Sequence, residues 1–162
     1  MAIQLNSSLS YERLELSTIA IGKSECEFEL AIYTHHWDDE HENGVRLTSE
    51  SVLVATESLL NVASRIATVF ENNSAPESTI VGEFPLAAKS SFAQLTLVFG
   101  PRPDVLDGNK PVVTIHYKLG RCVGQVFFVT DQSCLRQFSK QIRLELSRWL
   151  DNIALDRSGS AL

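Results

Sequence analysis

The densest group of side chains able to bind a metal ion lies in residues 35–42, which read HHWDDEHE. Imidazole and carboxylate groups are ligands of zinc and other divalent ions. No two of these histidines have the His-x-x-x-His spacing that places both on one helical face, and no cysteine lies nearby. We therefore predict a solvated acidic loop without a metal. A metal-dependent hydrolase that uses this loop is kept as an alternative.

Motifs of other catalytic chemistries are missing from the chain. It contains no G-x-S-x-G, Walker A, dinucleotide-binding or C-x-x-C pattern. Cys122 follows Arg121 and Cys134 lies near a predicted helix start, and both settings lower a thiol pKa. Each is nevertheless predicted to be an ordinary small residue. We expect no catalytic residue, no cofactor and a non-enzymatic protein.

Charge is distributed unevenly along the chain. The net charge is −6, but residues 1–83 hold 14 acidic and 4 basic residues, whereas residues 84–162 hold 6 acidic and 10 basic residues. The acidic excess argues against nucleic-acid binding, because phosphates require a basic footprint. It favours a protein partner with a basic surface, since a negative field steers cationic surfaces. An alternative is a homodimeric adaptor or regulatory domain, because the opposite charges of the two halves can pair between copies.

The candidate partner-binding residues follow from a period of two within residues 25–33, which read ECEFELAIY. This alternation predicts a half-buried antiparallel strand with a row of glutamates on its outer face. The row is continuous with the acidic loop, in which a tryptophan is a candidate interface anchor. The predicted set is Glu25, Glu27, Glu29, Trp37, Asp38, Asp39, Glu40 and Glu42.

Two amphipathic helices are predicted to support these residues. Apolar side chains recur at steps of three and four over about 49–70 and about 131–153. Thr48 or Ser49 is the expected cap of the first helix, and Thr130 or Asp131 that of the second. Arg136, Lys140 and Arg143 form a stripe that is predicted to be a solvated face of the second helix.

The remaining apolar segments predict strands. Clustered strands with separated helices indicate an α+β fold, with one antiparallel sheet of about six to seven strands packed against the two helices. The density of apolar residues in 123–129 predicts a central strand that is buried on both faces. Trp149 is expected to pack on the sheet beside Phe138. We see no internal repeat, and we expect a single domain over 1–155 and a disordered tail over 156–162.

Residues 124–138 carry the single resemblance to a known family. They read GQVFFVTDQSCLRQF, and an apolar strand that runs into Thr-Asp-Gln-Ser-x-Leu-x-x-Phe resembles the C-terminal end of WapI-like bacterial immunity proteins. The resemblance implies an inhibitor that neutralises a toxin domain, often a nuclease, of the same lineage. It carries over no binding residues, so Asp131, Gln132 and Ser133 are interpreted as a helix cap.

The predicted location is the cytoplasm. No apolar run approaches the roughly 18 residues that a membrane-spanning helix needs, and the first residues lack the basic and apolar regions of a secretory signal. Three cysteines, an odd number, are consistent with reduced thiols. We therefore expect neither membrane nor nucleic-acid partners.

Overall fold

The chain folds into two consecutive units, each made of four strands followed by one helix. A computed structural model describes residues 2–37, 42–71, 80–100, 102 and 110–159. The first unit contains β1 (Ala2–Asn6), β2 (Arg13–Ile21), β3 (Glu25–Trp37), β4 (Glu42–Ala55) and α1 (Thr56–Glu71). The second contains β5 (Gly82–Pro85), β6 (Gln94–Phe99), β7 (Val112–Leu119), β8 (Cys122–Val129) and α2 (Gln132–Gly159).

The strands form two antiparallel four-stranded sheets, in the orders β1-β2-β3-β4 and β5-β6-β7-β8. The α+β class is confirmed, but the prediction of one sheet of six to seven strands is wrong. Each unit is a complete meander, so the helix between them separates the sheets instead of returning the chain to the same sheet. Short backbone contacts link the two units at both ends. The Ala55 N–H donates to the Leu86 carbonyl at 3.0 Å, and the Ser8 N–H donates to the Val129 carbonyl at 3.0 Å.

The two units are structural repeats, although no repeat is visible in the sequence. Thr56 and Thr130 lie where the last strand of each unit meets its helix. Their N–H groups donate to the carbonyls of Ser24 and Pro111. Each of these two residues directly precedes the third strand of its unit. Five buried positions of each helix have the same spacing, and they are Leu59, Val62, Ala63, Ile66 and Phe70 in α1 and Leu135, Phe138, Ser139, Ile142 and Leu146 in α2.

One hydrophobic cluster joins both sheets and both helices. Its largest fully buried side chains come from each unit, and they include Phe28, Phe99 and Phe138. Helix α2 packs against α1 and β1. Trp149 is half-buried against the cluster, and its Nε1 donates to Glu145 Oε1 at 3.0 Å. The units therefore share one core.

The first helix begins at Thr56, so the prediction of helix from residue 49 is wrong. Residues 49–55 belong to β4, which pairs with β3. A bulge lies in this pairing, because Phe28 faces Val52 whereas Leu30 faces Ser49. Two residues of β4 thus oppose one residue of β3, and the extra residue resets the alternation of the strand. Val52 and Ala55 are three residues apart in the sequence and continue the apolar spacing of α1, so this part of β4 imitates a helix.

The prediction of a buried central position for 123–129 is also wrong. Strand β8 ends its sheet and pairs with β7. Val123 is 71% exposed and Phe127 is 40% exposed. The Arg102 guanidinium covers the outer side of Phe127, with Cζ 4.0 Å from the ring centroid. A cation–π contact of this kind accommodates an aromatic residue on a solvent-facing strand.

The start of α2 agrees with its predicted cap. Asp131 Oδ1 accepts a 2.8 Å hydrogen bond from the Cys134 N–H, which satisfies one of the open amides of the first turn. The helix continues to Gly159, so its backbone includes residues 156–159, which the sequence analysis placed in a disordered tail. Within the described ranges, neither helix is both long and apolar enough to cross a membrane.

Candidate partner-binding face

The outer face of β3 carries the predicted row of glutamates. Cys26, Phe28, Leu30 and Ile32 are buried in the core. Glu25, Glu27 and Glu29 alternate with them and are partly or fully exposed. Successive members of the row are about 7 Å apart, because alternate residues of a strand share one face. The structure therefore brings these three predicted residues together.

Two of these carboxylates are oriented by serines from neighbouring segments. Ser90 Oγ lies 2.7 Å from both oxygens of Glu25 and donates to that carboxylate. Ser51 Oγ donates to Glu27 Oε1 at 2.7 Å. These hydrogen bonds occupy part of the acceptor capacity of each carboxylate, and a carboxylate has about four lone-pair sites. Glu25 and Glu27 are thus held in place while they retain acceptor sites for a partner.

The β4 bulge adds a fourth carboxylate to the same region. Glu50 and Ser51 are the two residues that lie opposite Glu29, between the Phe28–Val52 and Leu30–Ser49 pairs. Glu50 is exposed. The sequence analysis missed this position because it assigned Glu50 to the first turn of a helix. The bulge thus concentrates negative charge beside the middle of the sheet. We call Glu25, Glu27, Glu29 and Glu50 the acidic face.

The opposite end of this sheet face is cationic and aromatic. Tyr33 pairs with Arg13 of β2 and with Arg46 of β4. The two guanidinium carbons lie 3.8 Å and 5.4 Å from the Tyr33 ring centroid. Arg13 also forms a 3.3 Å salt bridge with Glu15. Tyr33 is four residues from Glu29, which corresponds to about 13 Å along a strand. One end of the face is therefore acidic and the other is basic. This difference in charge favours one orientation of a bound partner.

The β3–β4 hairpin extends beyond the rest of its sheet. Strand β2 pairs with β3 as far as Tyr33, and the described β3–β4 pairing continues to Trp37 and Glu42. The backbone thus places Trp37 and Glu42 opposite each other near the hairpin end. Asp38, Asp39 and Glu40 lie outside the described residues, as do the side chains of Trp37 and Glu42. Their predicted part in partner binding stays a prediction.

The side chains of residues 36–42 lie outside the described residues, whereas His35 and the three cysteines lie within them. In the described ranges, no three His, Cys, Asp or Glu side chains form a group suited to a metal ion. The His35 ring packs on Tyr11, with a centroid distance of 4.1 Å. Cys134 does not have a lowered pKa, because burial and then the neighbouring Asp131 raise the pKa of its thiol. The helix N-terminus therefore does not activate this cysteine.

An exposed aromatic residue borders the acidic face. Phe92 is 97% exposed in the connection between β5 and β6. This connection is fixed against the first sheet, because the Ala88 N–H donates to the Leu53 carbonyl at 3.0 Å and Ser90 donates to Glu25. An exposed aromatic side chain two residues from Ser90 is the type of residue that anchors protein interfaces. The sequence contained no signal for it, since a single Phe between polar residues also occurs in cores.

The second unit provides an internal comparison for the acidic face. Counted from Ser24 and Pro111, the three glutamates of β3 correspond to Val112, Thr114 and His116 of β7, of which Val112 and Thr114 are buried. None of these three is acidic. Strands β7 and β8 also end in a tight turn at Gly120, whose φ is 63°, and not in an extended hairpin. The acidic face and the long hairpin are therefore properties of the first unit and not requirements of the repeated fold.

Comparisons with known proteins identify no relative of this chain, since no family model, curated protein or solved structure matches it.

Proposed function

We propose that this chain is a non-enzymatic protein-binding module whose acidic face binds a partner with a basic surface. The observation that carries the proposal is the row of Glu25, Glu27 and Glu29 on the outer side of β3, above a strand whose other side is buried in the core. A rigid strand holds the three carboxylates at fixed spacing. A preorganised charged surface of this kind directs association and partner choice.

Three features of the first unit support the proposal. The corresponding face of the second unit has no acidic residue at the equivalent positions. The serines at positions 51 and 90 hold two of the carboxylates in place. Phe92, beside Ser90, supplies an exposed apolar group for the same partner. Charge provides steering, and an aromatic anchor supplies contact energy at the centre of an interface.

The finer form of the proposal concerns the partner. The resemblance of residues 124–138 to WapI-like immunity proteins implies that the partner is a toxin domain, often a nuclease, and that the site of action is the cytoplasm. A nuclease presents a cationic cleft to its substrate, and a row of carboxylates is complementary to such a cleft. Inhibition would then follow from occupation of the cleft by the acidic face.

The test compares two variants with the same net charge. Glu25→Gln, Glu27→Gln and Glu29→Gln together remove three negative charges from the acidic face. Glu57→Gln, Glu83→Gln and Asp151→Asn together remove three charges from exposed positions elsewhere. Each tagged protein is used to capture partners from the source cells, and captured proteins are identified by mass spectrometry. We expect a basic protein that the wild type and the control variant retain and that the acidic-face variant loses.

Two further measurements separate this proposal from its alternatives. A photo-crosslinking residue at position 92 should join to the captured partner, whereas the same residue at the exposed position 123 should not. Expression of the partner alone should arrest growth if it is a toxin, and co-expression of the wild-type chain should restore growth. Retention of the partner by the acidic-face variant, or crosslinking from position 123 alone, would contradict the proposal. A chain whose acidic face instead mediates self-association would be dimeric as the wild type and monomeric as the acidic-face variant.

A further inference from the structure

A groove runs along the contact between the two helices. Its charged lining residues are basic, in contrast to those of the acidic face. Its volume is about 470 Å³. The floor is apolar and contains Ala67 of α1, which is partly exposed, together with Ile66 and Phe70, which are almost entirely buried. The wall from α2 contains Leu144, which is 53% exposed. An open apolar channel between two helices is a surface into which a third helix can pack.

The α2 wall of the groove also carries three cations. Arg136, Lys140 and Arg143 all line it. The stripe is exposed, as predicted for a solvated face, and it also runs along the groove. The spacing is i, i+4 and i+7, so the charges extend over about 10 Å at 1.5 Å per residue. The wall is therefore a row of positive charge beside an apolar floor.

The three cations differ in their role within the fold. The Arg136 Nη2 donates to the Phe70 carbonyl at 2.8 Å, which satisfies a carbonyl at the end of α1. Its guanidinium carbon lies 6.0 Å from the Phe70 ring centroid. Lys140 and Arg143 are exposed, and in the part of the chain that the structure describes neither forms an ion pair with a carboxylate. Lys140 and Arg143 are thus the cations that remain for a ligand.

We propose that this groove binds an acidic amphipathic helix of a protein partner. Apolar residues of such a helix would pack on Ala67 and Leu144, and its carboxylates would pair with Lys140 and Arg143. Symmetric pairing of this groove with the same groove of a second copy does not fit, because it would bring like charges together. The chain as a whole carries a net charge of −6, so the groove is a local basic region that selects acidic segments. This proposal does not depend on the function of the acidic face.

The test uses synthetic peptides of about 18 residues, the length at which isolated helices begin to be stable. The probe peptide is fluorescein-labelled, with leucines on one face and glutamates at i, i+4 and i+7 on the adjoining face. A second peptide has glutamine in place of each glutamate, and a third has the probe composition in scrambled order. Fluorescence anisotropy reports binding to the full-length chain. We expect the probe to bind and both control peptides to bind at least about tenfold more weakly.

Variants of the chain locate the binding site. Lys140→Glu with Arg143→Glu should weaken probe binding by about tenfold or more, because it reverses both available charges. Arg148→Glu is the control for the single variant Arg143→Glu, which changes the charge by the same amount. Arg148 is exposed on the same helix but does not line the groove, and its reversal should change affinity less than about twofold. Ala67→Trp fills the floor and should also abolish binding. Circular dichroism of each variant checks that the fold is retained.

Several outcomes would overturn the proposal. It fails if the probe does not bind, if the scrambled peptide binds equally well, or if Arg148→Glu has the same effect as the reversal of Lys140 and Arg143. Vesicles of phosphatidylglycerol are titrated in parallel. Binding of these vesicles through Lys140 and Arg143, without binding of the probe peptide, would identify the groove as a site for an anionic membrane and contradict a helical protein ligand.

Discussion

The Ser139 hydroxyl on α2 donates a 2.8 Å hydrogen bond to the Ala63 carbonyl on α1, and the two residues occupy equivalent positions in the two repeated units. Both residues are buried. Small side chains at this point let the two helices approach closely, and the serine adds a polar contact between them. This hydrogen bond therefore joins two residues that occupy equivalent positions in the two units.

Replacement of Ser139 by Ala should lower the free energy of unfolding by about 1 kcal/mol, the usual contribution of a neutral hydrogen bond. Ser133→Ala is the control, because Ser133 is exposed on the same helix, and it should change stability by less than about 0.5 kcal/mol. Urea denaturation followed by circular dichroism measures both values. Equal stability of the Ser139 variant and the wild type would show that this contact does not hold the units together.

Asp131→Ala should destabilise the protein by about 1 kcal/mol, because it removes the acceptor for the Cys134 N–H at the start of α2. Asp131→Asn should lose much less, since an asparagine oxygen caps a helix about as well as an aspartate oxygen. The measurement is again the urea midpoint. A loss of similar size in both variants would mean that the negative charge, and not the hydrogen bond, stabilises the helix start.

The buried thiol of Cys26 should make stability fall at alkaline pH. Burial raises the pKa of Cys26 above its ordinary value of 9.0, although a hydrogen bond with Thr56 partly opposes this shift. The unfolded thiol ionises near the ordinary value while the folded thiol stays protonated. The stabilising contribution is therefore complete below pH 9.0 and is lost as pH rises through the folded pKa.

Cys26→Ser provides the check, because a serine hydroxyl does not ionise in this range. The free energy of unfolding, measured between about pH 8 and pH 10.5, should decline less steeply for this variant than for the wild type. Parallel pH profiles for the two proteins would show that the Cys26 thiol ionises equally well in the folded and unfolded chain.

Sequence reasoning succeeded where one simple period holds. The alternation in residues 25–33 placed Cys26 and Phe28 inside and Glu25 and Glu27 outside, as the structure does. It failed where an irregularity in strand pairing changes which residues of the strand face the core. The bulge opposite Glu29 breaks the alternation of β4, so no uniform period of two is visible there, and Val52 and Ala55 instead suggest a helix.

The repeat and the edge position of β8 were hidden for a different reason. Equivalent positions such as Ala63 and Ser139, or Glu27 and Thr114, keep their place in the fold but differ in chemistry, so a comparison of residues does not relate the units. Phe127 is apolar yet lies on the solvent side, where Arg102 covers it. Apolar density alone cannot separate a covered edge strand from a central one, because the covering cation comes from a distant segment.

The most direct test of the central claim is the rate at which the captured partner associates with the chain at several salt concentrations. Stopped-flow fluorescence compares the wild type, the triple glutamine variant at Glu25, Glu27 and Glu29, and the control variant at Glu57, Glu83 and Asp151. We predict that the acidic-face variant associates about tenfold more slowly at low salt, and that this difference shrinks as salt screens the charges. Association rates that are the same for all three proteins, at every salt concentration, would contradict a binding role of the acidic face.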